Sequence, residues 1–161
     1  MMRAANALIR RTVAEDAPAL AALLRTLERF DWLRDEPPAV AVARVRSQLE
    51  RAAGDGSYSV YVAAAPGGGL VGYAAVHWLP YFILRGPEGY VSELFLSPEA
   101  RGRGVGSRLL EAVIEEARAR GCSRLSLLNN RRRESYERGF YAARGWQERG
   151  DMANFVLFLD R

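Results

Sequence analysis

The most informative absence in this sequence is lysine. All 23 basic side chains are arginine, and histidine occurs once. A phosphate-binding P-loop needs a lysine that reaches the phosphates, and Schiff-base catalysis needs a lysine amine, so both classes are excluded. The formal net charge of +4 favours anionic ligands but does not indicate a nucleic-acid partner at this size.

Cysteine and long hydrophobic runs are also scarce. The single cysteine, Cys122, cannot form an internal disulfide and has no metal-site spacing, which suits a reducing cytosol. The longest apolar stretch, residues 72–84, includes His77 and Pro80 and is too short to cross a bilayer. Residues 1–16 contain no apolar run of signal-peptide length. We therefore expect a cytoplasmic protein with no metal and no membrane partner.

The order of the predicted elements indicates a mixed α/β fold in one domain, residues 1–161. Strands are expected at residues 8–13, 58–65, 70–83, 89–96, 125–128 and 155–159. Helices are expected at residues 16–27, 40–53, 105–120 and 134–144, with a loop at 30–38. A meander that leads into a strand–helix–strand unit predicts a mixed, mostly antiparallel sheet between helices.

A turn rich in arginine and glycine joins a predicted strand to a helix. Its sequence is Arg101-Gly102-Arg103-Gly104-Val105-Gly106, followed by Ser107. Glycine is a poor residue for starting a helix, so its repetition indicates positive φ angles or close approach of a ligand. The N–H groups and dipole of a helix N-terminus suit a pyrophosphate. The alternative is an ordinary turn with solvated arginines.

Three motifs in order resemble the GNAT superfamily of N-acetyltransferases. The turn is similar to its Gln/Arg-x-x-Gly-x-Gly/Ala phosphate signature, residues 93–99 to the preceding strand, and residues 139–146 to its Phe-Tyr-x-x-x-Gly-Phe segment. The resemblance covers roughly residues 57–159. It implies a sheet of about six to seven strands flanked by about four helices. It also implies acetyl transfer from acetyl-CoA to a primary amine of a small molecule or peptide, within a ternary complex.

The resemblance also implies roles for individual residues. Tyr141 would protonate the departing thiolate, and the Leu94 N–H would stabilise the oxyanion. Independently of the resemblance, Glu93 is a carboxylate in a mostly apolar strand, which indicates a base that takes the amine proton through water. Strict alternation would place it on one strand face with Val91 and Phe95. The expected cofactor-binding residues are Leu94, Phe95, Leu96, Arg101, Gly102, Arg103, Gly104, Val105, Gly106, Ser107 and Asn130.

Several of these roles have alternatives that the sequence leaves open. Glu93 could form an ion pair with an arginine, and His77 is another candidate proton acceptor. Tyr141 could be a core aromatic residue. Asn130 either contacts the cofactor after an inserted turn or makes no contact, because Glu134 occupies the place where many relatives have asparagine.

The acceptor is expected to meet aromatic and acidic side chains. The predicted substrate-binding residues are Trp32, Trp78 and Tyr81. An acidic, aromatic pocket for a polyamine or an amino-acid-like compound would use Asp31, Asp35, Glu36, Glu88 and Glu93. The main alternative function is a non-catalytic acyl-CoA-binding sensor. Exposed closing strands leave a homodimer open.

Overall fold

The computed structural model describes residues 6–159, which divide into one unit up to Leu127 and a shorter unit from Leu128. The strands of the first unit are β1 (Leu8–Arg11), β2 (Tyr58–Ala64), β3 (Leu70–Leu79), β4 (Glu88–Leu96) and β5 (Arg124–Leu127). Its helices are α1 (Ala17–Leu24), α2 (Asp31–Asp35), α3 (Pro38–Asp55) and α4 (Val105–Ala119). The second unit contains α5 (Glu134–Glu137) and a 3₁₀ turn at Ala142–Arg144.

The five strands form one sheet in chain order, β1-β2-β3-β4-β5. Neighbouring strands are antiparallel except β4 and β5, which are parallel and are joined through α4. One face packs under α1 and α3, with a core that includes Leu20, Val45 and Tyr73. The other face packs under α4, where Leu109 and Val113 are fully buried. The predicted mixed, mostly antiparallel α/β fold is confirmed.

The sheet has fewer strands than the six to seven expected. Within residues 6–159, the segment 152–159 has no strand, and Phe155 and Leu157 are 91% and 82% exposed. The prediction of a strand at 155–159 is wrong because apolar residues form a strand only when a neighbouring edge accepts their backbone hydrogen bonds.

Local backbone chemistry explains the other differences. β3 ends at Leu79, before Pro80, because proline has no N–H for the ladder. The helix expected over residues 134–144 is interrupted at Gly139, whose φ of +62° is outside the helical range. The loop expected at residues 30–38 contains the short helix α2.

A β-bulge in β4 decides which side chains share a face. Ala75 of β3 is opposite Glu93, whereas Val76 is opposite Val91, so Ser92 is an extra residue in β4. Glu93 therefore lies on the face covered by α1 and α3, and Val91 lies on the opposite face. The expectation that Glu93 shares a face with Val91 is wrong, because alternation assumes a strand without a bulge.

Candidate active site

The second half of β4 has an open edge. β5 pairs with β4 only from Glu88 to Val91. No other strand within residues 6–159 pairs with that side of residues 92–96. The bulge at Ser92 lies where this pairing stops, as is common for bulges. The edge beyond the bulge is therefore available to an extended ligand.

One hydrogen bond fixes the direction of the peptide groups at this edge. The Ser97 N–H donates to the Val71 carbonyl oxygen over 2.9 Å. Since hydrogen bonding alternates along an antiparallel pair, Phe95 bonds to β3, while Leu94 and Leu96 direct their N–H and C=O groups to the open edge. A ligand with amide groups can hydrogen-bond to such an edge as an added strand does.

The turn that follows β4 contains two glycines in the left-handed conformation. Gly102 has φ +69°, and Gly104, the N-cap of α4, has φ +77°. A Cβ built at either position would meet no atom within 4 Å. The backbone conformation, and not crowding, therefore requires glycine here, and the space beside both residues is open.

The N-terminus of α4 suits an anion. The Arg108 N–H donates to the Gly104 carbonyl over 3.1 Å, and earlier N–H groups have no acceptor inside the helix. The helix has 15 residues, so its positive dipole end faces this turn. Arg101 is exposed and Arg103 half-buried, which adds positive charge nearby. This donor set fits a diphosphate group.

Glu93 is held by a tyrosine. The Tyr73 hydroxyl donates to Glu93 Oε2 over 2.6 Å, and Tyr73 is 3% exposed. Burial raises the pKa of Tyr73, as do the charge and hydrogen bond of Glu93, so the phenol stays neutral. Within residues 6–159, Oε1 of Glu93 accepts no hydrogen bond, and no arginine lies within ion-pair distance of this carboxylate. Glu93 is therefore oriented by a neutral partner and remains exposed.

Arg44 of α3 contacts α2 and the residue that follows it. Its Nη2 and Nε atoms donate to the Glu36 carboxylate over 2.7 and 3.0 Å. Its guanidinium carbon lies 5.0 Å from the centre of the Trp32 ring. The hydrogen bonds of Glu36 raise the pKa of Arg44 against the opposing effect of burial, and the charge of Glu93 adds to the rise. Trp32 and Arg44 are thus in contact, and the charge of Glu93 acts on Arg44.

An aromatic contact supports the same arrangement. The Phe95 ring stacks on Tyr73 with centroids 5.8 Å apart, and Phe30 meets Phe95 edge-on at 6.3 Å. The chain just before α2 therefore packs directly against β4 on the face that carries Glu93.

Arginine neutralises most of the expected acidic pocket. Ion pairs, with their nitrogen–oxygen distances, are Asp31–Arg34 at 2.7 Å, Asp35–Arg34 at 3.7 Å, Glu36–Arg44 at 2.7 Å and Glu88–Arg124 at 2.7 Å. Of the five acids, only Glu93 lacks such a pair within the described chain. The unpaired acid that remains is therefore Glu93.

The structure does not bring Trp78 to Glu93. Trp78 is 7% exposed and lies on the α4 face, where its indole N–H donates to Ser59 Oγ over 3.0 Å. The Arg120 guanidinium carbon lies 4.7 Å from the Trp78 ring centre. Tyr81 lies in the loop after β3 and is 43% exposed.

In the second unit, Tyr141 has a half-buried ring. It meets Phe140 and Trp146 edge-on, with centroids 5.0 and 5.9 Å apart. Burial raises the pKa of Tyr141 above its ordinary value, partly offset by the positive charge of Arg133. Its hydroxyl makes no hydrogen bond within residues 6–159. A neutral phenol with an unengaged proton is suited to act as an acid.

Asn130 caps a local turn. Its Oδ1 accepts the Arg132 N–H over 2.9 Å, and the neighbouring Asn129 Nδ2 donates to Ser135 Oγ over 3.3 Å. The Nδ2 group of Asn130 makes no hydrogen bond within the described residues, so the side chain keeps a donor for a ligand.

Sequence reasoning missed Tyr73 and Arg44. A tyrosine inside an apolar strand needs a partner for its hydroxyl, which signals a polar group opposite on a neighbouring strand. Arg44 directly precedes the buried Val45 on α3, which gives no comparable signal. Only the packing of α3 on the sheet places it on the face that carries Glu93.

Two further properties concern residues 6–159 alone. This part of the chain has no cluster of three or more side chains suited to a metal ion. None of its helices combines the length and apolar character needed to span a membrane.

Comparisons with known proteins show the family and the fold. The Acetyltransferase (GNAT) family model matches residues 19–146. Thialysine N-epsilon-acetyltransferase of Bos taurus is 28% identical over 130 residues, covering 74% of this chain and 72% of that protein. IAA acetyltransferase of Azospirillum brasilense is 32% identical over 156 residues, covering 93% and 96%. A solved structure of a transcriptional regulator from Bacillus halodurans C-125 has a TM-score of 0.76 at 23% identity, covering 96% and 100%, and shows a shared fold.

Proposed function

Because this chain belongs to the acetyltransferase (GNAT) family and is an acyltransferase, we propose that it moves the acetyl group of acetyl-CoA directly to a primary amine. Acetyltransferases of this family use acetyl-CoA as cosubstrate in general. The observation that carries the proposal is the open β4 edge followed at once by a glycine turn and a helix N-terminus. We propose that residues 1–161 act as one catalytic domain, since the family match runs across both units.

The proposed acetyl-CoA-binding site consists mainly of backbone groups. The N-terminal amides of α4, from Val105 to Ser107, bind the diphosphate, and the left-handed glycines Gly102 and Gly104 let it approach. The outward C=O group of Leu94 and the outward N–H and C=O groups of Leu96 bind the amide-rich pantetheine arm. Arg101 and Arg103 supply charge, and Asn130 supplies an amide donor.

The proposed chemistry is nucleophilic attack by a neutral amine. The amine nitrogen bonds to the acetyl carbonyl carbon, and the Leu94 N–H stabilises the oxyanion. Collapse of this intermediate forms the amide and breaks the carbon–sulfur bond. Glu93 takes the amine proton through water, and Tyr141 gives its proton to the thiolate.

The first test compares two glycines of equal strain. Gly104→Ala and Gly68→Ala both force an alanine into the left-handed conformation, at φ +77° and +84°. Gly68, however, lies in the β2–β3 turn and not in the turn before α4. Each should cost about 1–2 kcal/mol of stability. Only Gly104→Ala should weaken acetyl-CoA binding, by at least about tenfold in calorimetry, because it disturbs the turn that binds the diphosphate.

The second test separates the enzyme from a sensor. Thiol release from acetyl-CoA is measured against amino acids, polyamines, aminoglycosides and N-terminal peptides. Turnover with any of these amines supports the proposal. Acetyl-CoA binding without thiol release for any amine would favour a non-catalytic sensor. Absence of acetyl-CoA binding would contradict the proposed binding site.

A further inference from the structure

One nitrogen of Arg44 is available to a ligand. Glu36 occupies the guanidinium edge formed by Nε and Nη2. Within residues 6–159, Nη1 donates to no acceptor. The Arg44 side chain is 27% exposed, so solvent and small molecules reach it. The arginine therefore keeps N–H donors of the kind that bind a carboxylate.

Neighbouring groups hold Arg44 in position before any ligand arrives. Glu36 fixes one edge of the guanidinium, and the Trp32 ring covers it at 5.0 Å. Arg25 donates to the Glu36 carbonyl oxygen, which ties this segment to α1. A side chain that is already ordered loses little conformational entropy when it binds a ligand.

The charges around Glu93 fit a zwitterion better than a polycation. Glu93 offers one carboxylate without an ion-pair partner in the described chain. Arg44 stands over Trp32 of α2. Phe30, just before α2, packs on Phe95 on the face of the sheet that carries Glu93. Glu36 and Arg44 neutralise each other. A polyamine needs several unpaired acids, whereas an amino acid needs one acid for its amine and N–H donors, here those of Arg44 Nη1, for its carboxylate.

Building on the proposed acetyltransferase function, we propose that Arg44 binds the carboxylate of an amino-acid acceptor whose amine is directed toward Glu93. Arg44 makes and breaks no covalent bond. The amide nitrogen–carbon bond forms, the thioester carbon–sulfur bond breaks, the amine proton leaves through water to Glu93, and the thiolate takes the Tyr141 proton. Arg44 is a specificity-determining residue that orients the acceptor.

The test compares amino acids with their decarboxylated amines, such as lysine with cadaverine and phenylalanine with phenethylamine. The wild-type enzyme should prefer the amino acid of at least one pair by tenfold or more in kcat/KM. Arg44→Gln should raise KM for that amino acid at least tenfold and leave KM for the matching amine unchanged. Arg46→Gln, two positions along the same helix and on a different face, is the control and should change neither.

A second variant guards against misfolding, because Arg44→Gln leaves Glu36 without its partner. The double change Glu36→Gln with Arg44→Gln removes both charges and should lose the carboxylate preference while keeping a cooperative thermal transition. Equal loss for amino acid and amine, or no preference in the wild type, would overturn the role of Arg44. Acetyl-CoA binding with no amino acid acetylated would overturn this substrate class, whereas absence of acetyl-CoA binding would overturn the proposed function.

Discussion

In the proposed mechanism, the phenol of Tyr141 keeps its proton until the reaction generates a thiolate. Burial raises its pKa above the ordinary 10.0, so it stays protonated at neutral pH. Tyr141→Phe keeps the ring packed against Phe140 and Trp146 but removes this proton. We expect kcat for thiol release to fall roughly 100- to 10,000-fold, with acetyl-CoA affinity unchanged in calorimetry. Tyr136→Phe is the matched control, and wild-type kcat in Tyr141→Phe would exclude the acid role.

Asp16 makes stability depend on pH. Its carboxylate accepts both Arg10 Nη groups at 2.7 Å and the Val13 N–H at 2.9 Å. The hydrogen bonds from Arg10 lower the pKa of Asp16 despite its burial. This stabilisation is complete above the unfolded pKa of about 3.9 and is lost as pH falls through the lower folded pKa. We expect Asp16→Asn to cost about 1–2 kcal/mol in urea unfolding at pH 7 and to weaken this acid dependence.

The exposed Asp151 provides the comparison for Asp16. Its side chain is 76% exposed, and its oxygen lies 3.9 Å from Arg149. Asp151→Asn should leave the free energy of unfolding within about 0.5 kcal/mol of the wild type. The assignment of the pH dependence to Asp16 fails when both variants unfold alike at pH 7 and in acid.

Helix α4 is bonded to the sheet through a half-buried carboxylate. Glu116 accepts hydrogen bonds from Ser59 and Arg120 at 2.9 Å and from the Tyr61 hydroxyl at 2.6 Å. Burial acts to raise the pKa of Glu116, but these hydrogen bonds outweigh it and lower the pKa. Burial, together with Glu116, raises the pKa of Tyr61 to about 12. We expect Glu116→Gln to cost about 2–3 kcal/mol in urea unfolding, since the change leaves donors without a charged acceptor.

The adjacent residue on α4 offers a control of the same chemistry. Glu115 pairs with Arg118, and both side chains are about 70% exposed. Glu115→Gln should change the free energy of unfolding by no more than about 0.5 kcal/mol. Similar losses for the two glutamines would show that helix charge, and not anchorage to the sheet, is responsible.

Among the elements, those with a periodic apolar face were predicted well. The helix α4 and the strands β2 to β4 follow their hydrophobic patterns, and the glycine turn before α4 was found from composition alone. The bulge at Ser92 was not predictable, because β4 carries apolar residues on both faces, which hides the change of phase that one inserted residue causes. The open edge of β4 depends on where β5 stops pairing, which the sequence of β4 does not contain.

Contacts between distant segments limited the prediction of the site in the same way. Trp32 was singled out as an aromatic residue in a loop, but its partner Arg44 was not. Tyr73 and Trp78 lie on opposite faces of β3, as their spacing implies. That Glu93 shares the face of Tyr73 and not that of Trp78 becomes visible only when the register is known. Side-chain chemistry was therefore easier to predict than the neighbours of each side chain.

The described molecule leaves a run of large apolar side chains in solvent. Residues 155–159 are each between 63% and 91% exposed. Contiguous exposed apolar surface of this kind favours association, so we predict a homodimer whose fraction rises with concentration in light scattering. The double change Phe155→Asp with Leu157→Asp should shift the mass to that of a monomer. Glu137→Asp, an exposed conservative change in the same unit, should leave the mass unchanged. A wild-type protein that stays monomeric at all concentrations would contradict the prediction.

Binding of acetyl-CoA should stabilise the whole molecule, because a ligand that binds only the folded state adds its binding free energy to folding. At a hundredfold excess over Kd this contribution is about 2.7 kcal/mol. For a chain of 161 residues, it corresponds to a rise in Tm of about 5–11 °C. Coenzyme A should give a similar rise, since it carries the same diphosphate and pantetheine arm, whereas adenosine at the same concentration should give none. A Tm that responds equally to adenosine and acetyl-CoA would place recognition on the nucleoside and remove the α4 N-terminus from the binding site.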